Sequence, residues 1–415
     1  MHPSDKPADA ALPDLAGAPW LSAASTQRVM AAIAAGGFEA RAVGGVVRNA
    51  LFGLPVTDID IATTATPGDV VRLARYAGFE VVETGLKHGT LTVIVDKHPF
   101  EVTTLRRDVE THGRHATVAF TDDWAEDARR RDFTMNALYC DAAGRLHDPL
   151  GGIGDLRARR VRFIGEAAER IREDYLRILR FFRFTAQYAD GAYDAAGLLA
   201  CTRERGGLAQ LSAERVRQEL VRLLVAPGAL AAVETMREHG ILADVLPAAP
   251  RPGLLARVIE IDRGHGLPAD AMVRLAALGV ELLEDAVRLA EGLRLSREER
   301  GGLLLGSSDE ARFAEPPGER DAKVLLYCHG ADDYRALLVQ AWARSLSASV
   351  RDPRWSEALT LPDRWQPPKL PVKGADVMAR GIPAGPKVGE ALRMLEAWWI
   401  EQDFVPDREA LLARL

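Results

Sequence analysis

Two aspartates, Asp58 and Asp60, alternate with the apolar residues Ile59 and Ile61. This alternation predicts a strand, and side chains two positions apart on a strand lie on the same face of the sheet. Two such close carboxylates repel each other unless a cation lies between them, and their hard oxygen atoms suit Mg²⁺. The pair therefore predicts a metal site, although an Asp-x-Asp pattern alone also fits a turn cap followed by a solvated strand end.

A glycine turn, Gly44-Gly45-Val46-Val47-Arg48, precedes the aspartates. Its two glycines let the backbone approach a bulky anion, and Arg48 offers a fork of donors to a phosphate. A metal pair beside a phosphate turn indicates nucleotidyl transfer, in which one ion lowers the pKa of the attacking hydroxyl and the other neutralises the triphosphate and the leaving group. Glu101, on a later predicted strand, is either a third carboxylate of this site or a solvent-facing residue of an edge strand.

A second basic segment extends from Arg129 to Ala137. The apolar residues after its three arginines, beginning with Phe133, indicate that the segment packs against a core and is not an exposed helix end. We expect Arg131 to bind a triphosphate and Asp132 to orient Arg131 or a neighbouring group. Asn136 either contacts a ribose hydroxyl or caps a turn.

A polar row formed by Asp174, Arg177, Arg180 and Arg183 steps by three along a predicted helix, residues 173–188. The row fits an amphipathic helix with an ion pair, and it also fits a surface that reads a base. A carboxylate accepts from the amino group of cytosine or adenine while an arginine donates to the ring nitrogen, whereas uracil and guanine present a carbonyl group instead. Asp174 with Arg177 would then select C and A against U and G by protein alone.

Bulk properties narrow the class of protein. At 415 residues the chain is too long for one ordinary core, and its 47% hydrophobic and 27% charged residues are typical of a soluble globular protein. No stretch has the apolar length of a membrane span or of a signal peptide, so we expect a cytoplasmic protein whose three cysteines are buried free thiols. The net charge of −6 argues against coating of nucleic acid, but arginines crowd the middle of the chain and indicate one polyanion-binding channel.

The periodicity predicts an α+β chain. A small mixed α/β region with four or five strands comes first, a loop without periodicity occupies residues 105–123, and helices follow. Residues 350–371 hold five prolines and are expected to form an extended linker. The expected strands lie at 40–43, 58–62, 79–83, 90–95 and 100–104, and the later helices at 173–188, 213–225, 230–239, 269–278, 281–293, 336–348 and 387–401.

Four segments together resemble the class II tRNA nucleotidyltransferase and bacterial poly(A) polymerase family, part of the DNA polymerase β-like superfamily. They are residues 43–63, 130–137, 148–156 and 173–183. The resemblance implies a mixed-sheet nucleotidyltransferase head at 21–148, after a disordered segment at 1–20. All-helical parts would follow, namely a nucleotide-selecting neck at 149–225, a body at 226–350, and a linker with tail helices at 351–415.

The same resemblance assigns roles to residues. It implies catalysis by Asp58 and Asp60 with Mg²⁺, and movement of the 105–123 loop when specificity passes from CTP to ATP. Asn49 departs from the family, which usually has Asp after the arginine, and this change affects only local hydrogen bonding. The implied nucleotide contacts are Gly45, Arg48, Arg131, Asp174, Arg177, Arg180 and Arg183. We add Asp132 to this nucleotide-binding set because it follows Arg131 directly.

The segment at 83–90 resembles the CCA-adding branch, because the poly(A) polymerases carry a Gly-Arg-Arg-Phe-like stretch there. We therefore expect addition of C, C and A to tRNA 3′ ends from CTP and ATP, without a nucleic acid template and with release of diphosphate. Poly(A) addition and CC-only or A-only addition remain alternatives. Another alternative is a catalytically inactive RNA-binding paralogue. The intact pair Asp58 and Asp60 argues against it. The expected partners are tRNA, CTP and ATP, with no membrane, and the sequence indicates no protein partner.

Overall fold

The structure is a computed structural model that describes residues 14–85, 89–112, 115–345 and 347–415. The chain divides into two compact units, Met1–Pro247 and Ala248–Leu415. Of the segment expected to be disordered, residues 1–13 lie outside the described part of the chain. Leu15 of the same segment is buried, and the first helix begins at Pro19.

Within the described residues, seven strands of the first unit form one mixed sheet in the order β3-β4-β5-β2-β1-β8-β9. Strands β2 and β5 are parallel, and the other neighbouring pairs are antiparallel. Five of the strands were predicted, but β8 and β9 have only three and two residues, too few to show a period of two. The sheet strands are β1 Ala40–Val43, β2 Asp60–Thr63, β3 Glu80–Gly85, β4 Thr90–Val95, β5 His98–Thr104, β8 Tyr139–Asp141 and β9 Leu146–His147.

The predicted loop at 105–123 is wrong in most of its length. Two strands, β6 (Arg106–His112) and β7 (His115–Phe120), pair antiparallel as a separate two-stranded sheet. The register of this hairpin shifts between Asp108 and Glu110. A bulge breaks the alternation on which strand prediction depends, and this explains why the segment has no visible period.

The first unit also contains helices, some between its strands and some after the sheet in sequence. The predicted helix at 173–188 is wrong as a single element, because Asp174 has an extended backbone (φ −157°, ψ 106°) that separates α7 from α8. The helices are α1 Pro19–Ser22, α2 Ala24–Ala34, α3 Gly45–Phe52, α4 Pro67–Tyr76, α5 Trp124–Arg129, α6 Gly152–Arg157, α7 Ala167–Glu173, α8 Leu176–Tyr188, α9 Ala195–Glu204, α10 Ala213–Leu224, α11 Ala229–Glu238 and α12 Ile241–Val245.

Helix α8 is anchored by aromatic packing. Phe181 is fully buried, and its ring lies 5.3 Å from that of Phe163 and 6.3 Å from that of Phe133. Phe133 also contacts Phe184, one turn further along α8, at 5.2 Å between ring centroids. Such ring pairs contribute about 1 kcal/mol each beyond the burial of their area. They hold the arginines of α8 against the segment that contains Arg131.

The second unit is helical throughout its described elements. Its helices are α13 Pro252–His265, α14 Ala271–Gly279, α15 Leu283–Gly292, α16 Arg297–Leu305, α17 Glu319–Arg344, α18 Pro353–Leu359, α19 Leu361–Arg364, α20 Gly374–Met378, α21 Pro386–Glu401 and α22 Arg408–Leu412. Helix α17 is interrupted by a kink at Gly330, whose backbone is non-helical (φ 79°, ψ 173°). The extended linker predicted at 350–371 is wrong where α18 and α19 form. Their prolines stand in the first helical turn, where proline is tolerated, and Trp355 of α18 is buried against Trp342.

Two further sequence expectations can be compared with the structure. Every helix in the described part of the chain is too short or too polar to cross a membrane. Cys140 and Cys201 are buried free thiols as expected, whereas Cys328 is exposed, contrary to the expectation.

Candidate active site

The phosphate turn joins β1 to α3. Gly44 has φ 72° and ψ −119°, a left-handed backbone that residues with a side chain rarely adopt, and α3 begins at the next residue, Gly45. The first turn of a helix carries backbone N–H groups without intrahelical partners, which suits an anion. A Cβ atom built on Gly44 would stand 3.7 Å from Nη1 of Arg131. The structure therefore brings the predicted triphosphate residue to the predicted phosphate turn.

The carboxylates lie at the start of β2. Asp60 is its first residue, so Asp58 precedes the strand, and the prediction that both occupy one strand is wrong for Asp58. Both residues are exposed. Glu101 on β5 is the Cα partner of Asp60 in the parallel pair, so the two side chains leave the sheet side by side. Since β5 lies between β4 and β2, the edge-strand interpretation of Glu101 is wrong.

The electrostatics of the pair favour a cation. Partial desolvation is the largest cause that raises the pKa of Asp60 to about 6, although the residue as a whole is exposed. Repulsion by Glu101 and by Asp58 raises this pKa further, and the positive charge of Arg131 lowers it. One guanidinium thus does not offset the crowding of three carboxylates. A divalent cation would do so, and the carboxylate oxygens are ligands that such an ion accepts.

The donor set is small. Among the described residues, no group of three or more His, Cys, Asp or Glu side chains surrounds a single point as a metal cage. Mg²⁺ is usually held by one or two carboxylates, with water and substrate phosphates in its remaining positions. Asp58 and Asp60 fit that arrangement.

Arg131 is held by a carboxylate that the sequence reasoning missed. Asp127 accepts from Nη2 of Arg131 at 3.0 Å, from Nε of Arg130 at 2.7 Å and from the hydroxyl of Tyr139 at 2.8 Å. The Asp127 side chain is 1% exposed. Burial alone would raise the pKa of Asp127, but Arg131 and Arg130 outweigh it and lower this pKa to about 2. Asp127 is therefore an anion whose charge faces Arg131.

Arg48 is buried, contrary to the expectation of an open phosphate ligand. It donates to the hydroxyl of Tyr188 at 2.7 Å, to Oδ1 of Asn49 at 3.0 Å and to Oδ1 of Asn136. Its guanidinium also stacks on the ring of Tyr188 at 4.2 Å. The Tyr188 hydroxyl in turn donates to Asn49 at 3.1 Å, so the unusual asparagine completes a polar cluster between α3 and α8.

Asp174, the predicted base-reading carboxylate, lies in the break between α7 and α8. Oδ1 of Asp174 accepts from Nη1 of Arg215 on α10 at 3.0 Å, and Oδ2 accepts from Nη2 at 2.6 Å. Oδ1 also accepts from the backbone N–H of Leu176 at 3.1 Å. The side chain of Arg177 pairs with Glu173, while its backbone N–H donates to the carbonyl oxygen of Asp174 at 3.0 Å. Of the predicted row, Arg177, Arg180 and Arg183 lie on α8, whereas Asp174 lies before it, and the side chains do not form the predicted i, i+3 ion pair.

The two remaining arginines of the row are joined by carboxylates of other elements. Arg180 donates to Asp132 at 2.6 Å and lies 3.7 Å from Glu219 of α10. Arg183 pairs with Glu219 at 2.5 Å. Asp132 is buried and also accepts from Nδ2 of Asn136 at 2.9 Å, so it links the Arg131 segment to α8.

One of the missed residues had a signal in the sequence. Glu219 lies on the apolar face of α10, three residues after Val216 and one before Leu220, and it is 4% exposed. A charged residue on such a face needs a buried partner, so it predicts an ion pair. Asp127 and Arg215 carry no comparable signal, because each directly follows a charged residue, Glu126 or Glu214, as on an ordinary solvated helix face.

Comparison with known proteins gives consistent matches. The family model described as "Poly A polymerase head domain" matches residues 40–162. A second model, described as "Probable RNA and SrmB- binding site of polymerase A", matches residues 198–250. Residues 86–88 of the 83–90 segment, which favoured one branch of the family, lie outside the described part of the chain.

Relatives match over almost the whole chain. The mitochondrial CCA tRNA nucleotidyltransferase 1 of Danio rerio is 35% identical over 91% of this chain and 87% of its own length. The CCA-adding enzyme of Geobacillus kaustophilus is 32% identical over 91% of this chain and 93% of its own length. The crystal structure of the Bacillus stearothermophilus CCA-adding enzyme in complex with CTP is similar with a TM-score of 0.69 and 29% identity, over 91% of this chain and 93% of that one.

Proposed function

We propose a function from one premise, which is that this chain belongs to the family of CCA-adding tRNA nucleotidyltransferases. The chain adds C, C and A to the 3′ ends of tRNA from CTP and ATP, uses no nucleic acid template and releases diphosphate. The structural observation that supports this assignment is that the Gly44 turn, Arg131 and Asp60 lie together. Arg131 faces the Gly44 turn, and its charge acts on Asp60 at the head of β2.

Enzymes of this family use divalent metal ions, and we assign Mg²⁺ to Asp58 and Asp60 in this chain. When bound, the metal would lower the pKa of the attacking 3′-hydroxyl and stabilise the charge on the triphosphate. Glu101 is the third carboxylate of the site, since it neighbours Asp60 on the parallel strand. These three carboxylates supply the negative charge that binds the cation next to the nucleotide phosphates.

The turn and Arg131 bind the triphosphate of the incoming nucleotide. Gly44 and Gly45 keep the approach to the first turn of α3 open, and Nη1 of Arg131 stands beside it. Arg48 does not face this triphosphate site, because it is buried and hydrogen-bonded to the hydroxyl of Tyr188 on α8. Its role in nucleotide binding is therefore to hold α3 against α8 and so fix the turn.

Base selection belongs to Asp174 and the arginines of α8. A carboxylate offers about four lone-pair sites, and the three hydrogen bonds to Asp174 leave acceptor capacity for the amino group of cytosine or adenine. Arg177 lies three residues further on and supplies donors for a ring nitrogen. Arg180 pairs with Asp132, Arg183 pairs with Glu219, and these ion pairs hold α8 in place behind them.

Poly(A) addition is the second candidate, and the match to the poly(A) polymerase head model supports it. That match covers the catalytic region, which both activities share. The curated relatives that match over nine-tenths of the chain bear CCA-adding names, which favours the first candidate. We also propose that the protein acts in the cytoplasm, although the Danio rerio relative is mitochondrial by name.

Nucleotide choice tests the proposal. The wild-type protein is incubated with Mg²⁺, a tRNA that lacks its 3′-terminal CCA, and one labelled nucleotide at a time. Label from CTP is expected on this tRNA and label from ATP on a tRNA that already ends in CC, while UTP and GTP give none. Incorporation of ATP in long runs on either tRNA would support the second candidate, and no incorporation from any nucleotide would support the inactive paralogue.

A further inference from the structure

Only one edge of the Arg131 guanidinium is hydrogen-bonded to neighbouring residues in the described part of the chain. Nε and Nη2 form one edge of the fork and lie 3.3 Å and 3.0 Å from Oδ2 of Asp127. Nη1 makes no hydrogen bond among the described residues and lies nearest to the Gly44 turn. An arginine whose inner edge is bound by a carboxylate keeps its outer nitrogen in one direction, because the guanidinium is planar and rigid.

Asp127 is itself fixed from three other sides. Its Oδ1 accepts from Nε of Arg130 at 2.7 Å and from the backbone N–H of Arg106, at the start of β6, at 3.4 Å. Its Oδ2 accepts from the hydroxyl of Tyr139 at 2.8 Å, and the ring of Tyr139 packs edge-on against Trp124 at 5.2 Å. The carboxylate is therefore immobile, and Arg131 has a rigid support.

We propose that Asp127 is a positioning residue, which holds Arg131 so that Nη1 points to the phosphate site at the Gly44 turn. Asp127 does not touch the nucleotide and acts only through Arg131. The inference rests on the proposed function, since it takes the ligand of the turn to be a nucleoside triphosphate. It adds that the strength of triphosphate binding depends on a carboxylate on α5, behind Arg131.

The chain offers a matched control. Asp155 is a second carboxylate with 1% exposure, and it accepts from Nε of Arg162 at 2.8 Å, from the hydroxyl of Thr134 at 2.6 Å and from Arg160. It thus resembles Asp127 in burial and in the number of its arginines. Its arginines are half exposed and not part of the site described above.

The test compares Asp127→Asn with Asp155→Asn in the full-length protein. The Michaelis constant for CTP, kcat, and the dissociation constant of CTP without tRNA are measured at saturating Mg²⁺. For Asp127→Asn we expect KM and Kd for CTP to rise by about tenfold, which corresponds to about 1.4 kcal/mol of lost binding free energy. Asp155→Asn is expected to lower the melting temperature and leave both constants within about twofold of the wild type.

Equal constants for the two variants would overturn the proposal, because a merely structural carboxylate would lower the amount of folded protein without changing KM. If Asp127→Asn does not fold, Tyr139→Phe replaces it, since this change removes the hydroxyl that donates to Asp127 at 2.8 Å and accepts from Nε of Arg131 at 3.4 Å. An increase of KM by two- to fivefold is then expected, and an unchanged KM contradicts the proposal. Failure of the proposed function would differ, because the wild type itself would not incorporate CTP.

Discussion

Asp60 and Glu101 are Cα partners on the parallel strands β2 and β5, in the interior of the sheet. Parallel neighbours in register send their side chains to the same face, so the two carboxylates repel each other. Desolvation raises the pKa of Asp60, and this repulsion raises it further. Such a juxtaposition destabilises the empty site and favours binding of a cation there.

Replacing Glu101 tests its part in this site. Glu101→Gln keeps the side-chain length and removes one charge, so we expect weaker Mg²⁺ binding, a higher Mg²⁺ concentration for half-maximal rate, and a loss of about 10- to 100-fold in kcat. The measurement is a titration of incorporation rate with Mg²⁺. Glu80→Gln, an exposed glutamate at the start of β3, is the control. Equal rates for the two variants would show that Glu101 is only a solvent-facing residue of the strand.

Removing a metal-binding aspartate should abolish chemistry while sparing RNA binding. Asp60→Ala is expected to lower incorporation by about 1,000-fold or more, because metal-ion stabilisation supplies several kcal/mol of the barrier reduction. Binding of tRNA, measured by filter retention without nucleotide, should remain within about twofold of the wild type. Residual incorporation near the wild-type rate would remove Asp60 from the mechanism.

The base-reading role of Asp174 predicts a loss of selectivity. Asp174→Ala should relax discrimination of CTP against UTP by about 10- to 100-fold, since one good pairing contact contributes about 1–3 kcal/mol. The ratio of kcat/KM for the two nucleotides measures this directly. Glu166→Ala, at the exposed start of α7, serves as the control. A ratio that does not change in Asp174→Ala refutes direct readout by this carboxylate.

The network of Asp132 predicts a pH-dependent contribution to stability. Burial would raise the pKa of Asp132, but Arg180 and the amide of Asn136 outweigh it, and the pKa falls from 3.8 to about 2. The unfolded chain therefore binds the proton more readily, and the stabilisation is present above pH 4 and lost as the pH falls towards 2. A depression of this size contributes about 2 kcal/mol.

Urea unfolding at pH 7 and at pH 3 checks this effect. Asp132→Asn should reduce the free energy of unfolding by about 2 kcal/mol at pH 7 and by clearly less at pH 3. Asp122→Asn, at an exposed position, should have little effect at either pH. A penalty for Asp132→Asn that is the same at both values would show that its charge is not responsible.

The hairpin of β6 and β7 predicts a difference between the two nucleotides. Its base is joined to the site, because the backbone N–H of Arg106 donates to Asp127. Replacing residues 108–118 by a short Gly-Ser linker should lower A addition more than C addition. Single-turnover rates on a tRNA without CCA and on one that ends in CC measure the two steps. An equal loss at both steps contradicts a role in changing specificity.

Local patterns predicted much of the sheet and several of the residues that meet in the site. The alternation at 90–95 and the glycines of the turn have short-range causes, so the strand β4 and the phosphate turn before α3 could be read directly. The position of Asp58 could not, because the exact start of a strand depends on its pairing: β2 begins only where β1 and β5 offer partners. The hairpin was missed because its bulge hides the alternation.

Partners across long sequence separations could not be predicted. Arg215 binds Asp174 from 41 residues away, and Arg48 reaches Tyr188 across 140 residues. Arg48 looked like a phosphate ligand because it follows a glycine turn, but its burial depends on α8, whose aromatic residues close over it. The chemical type of these residues was readable from the sequence, and their pairing required the tertiary structure.

The most direct test of the central claim is the mass of the RNA product. A tRNA that lacks its 3′-terminal CCA is incubated with the protein, Mg²⁺, CTP and ATP, and the product is analysed by mass spectrometry over time. We expect a gain of two cytidylate residues and then one adenylate, after which the mass no longer increases. A ladder of adenylate additions, or a product that stops after C or CC with ATP present, would contradict it.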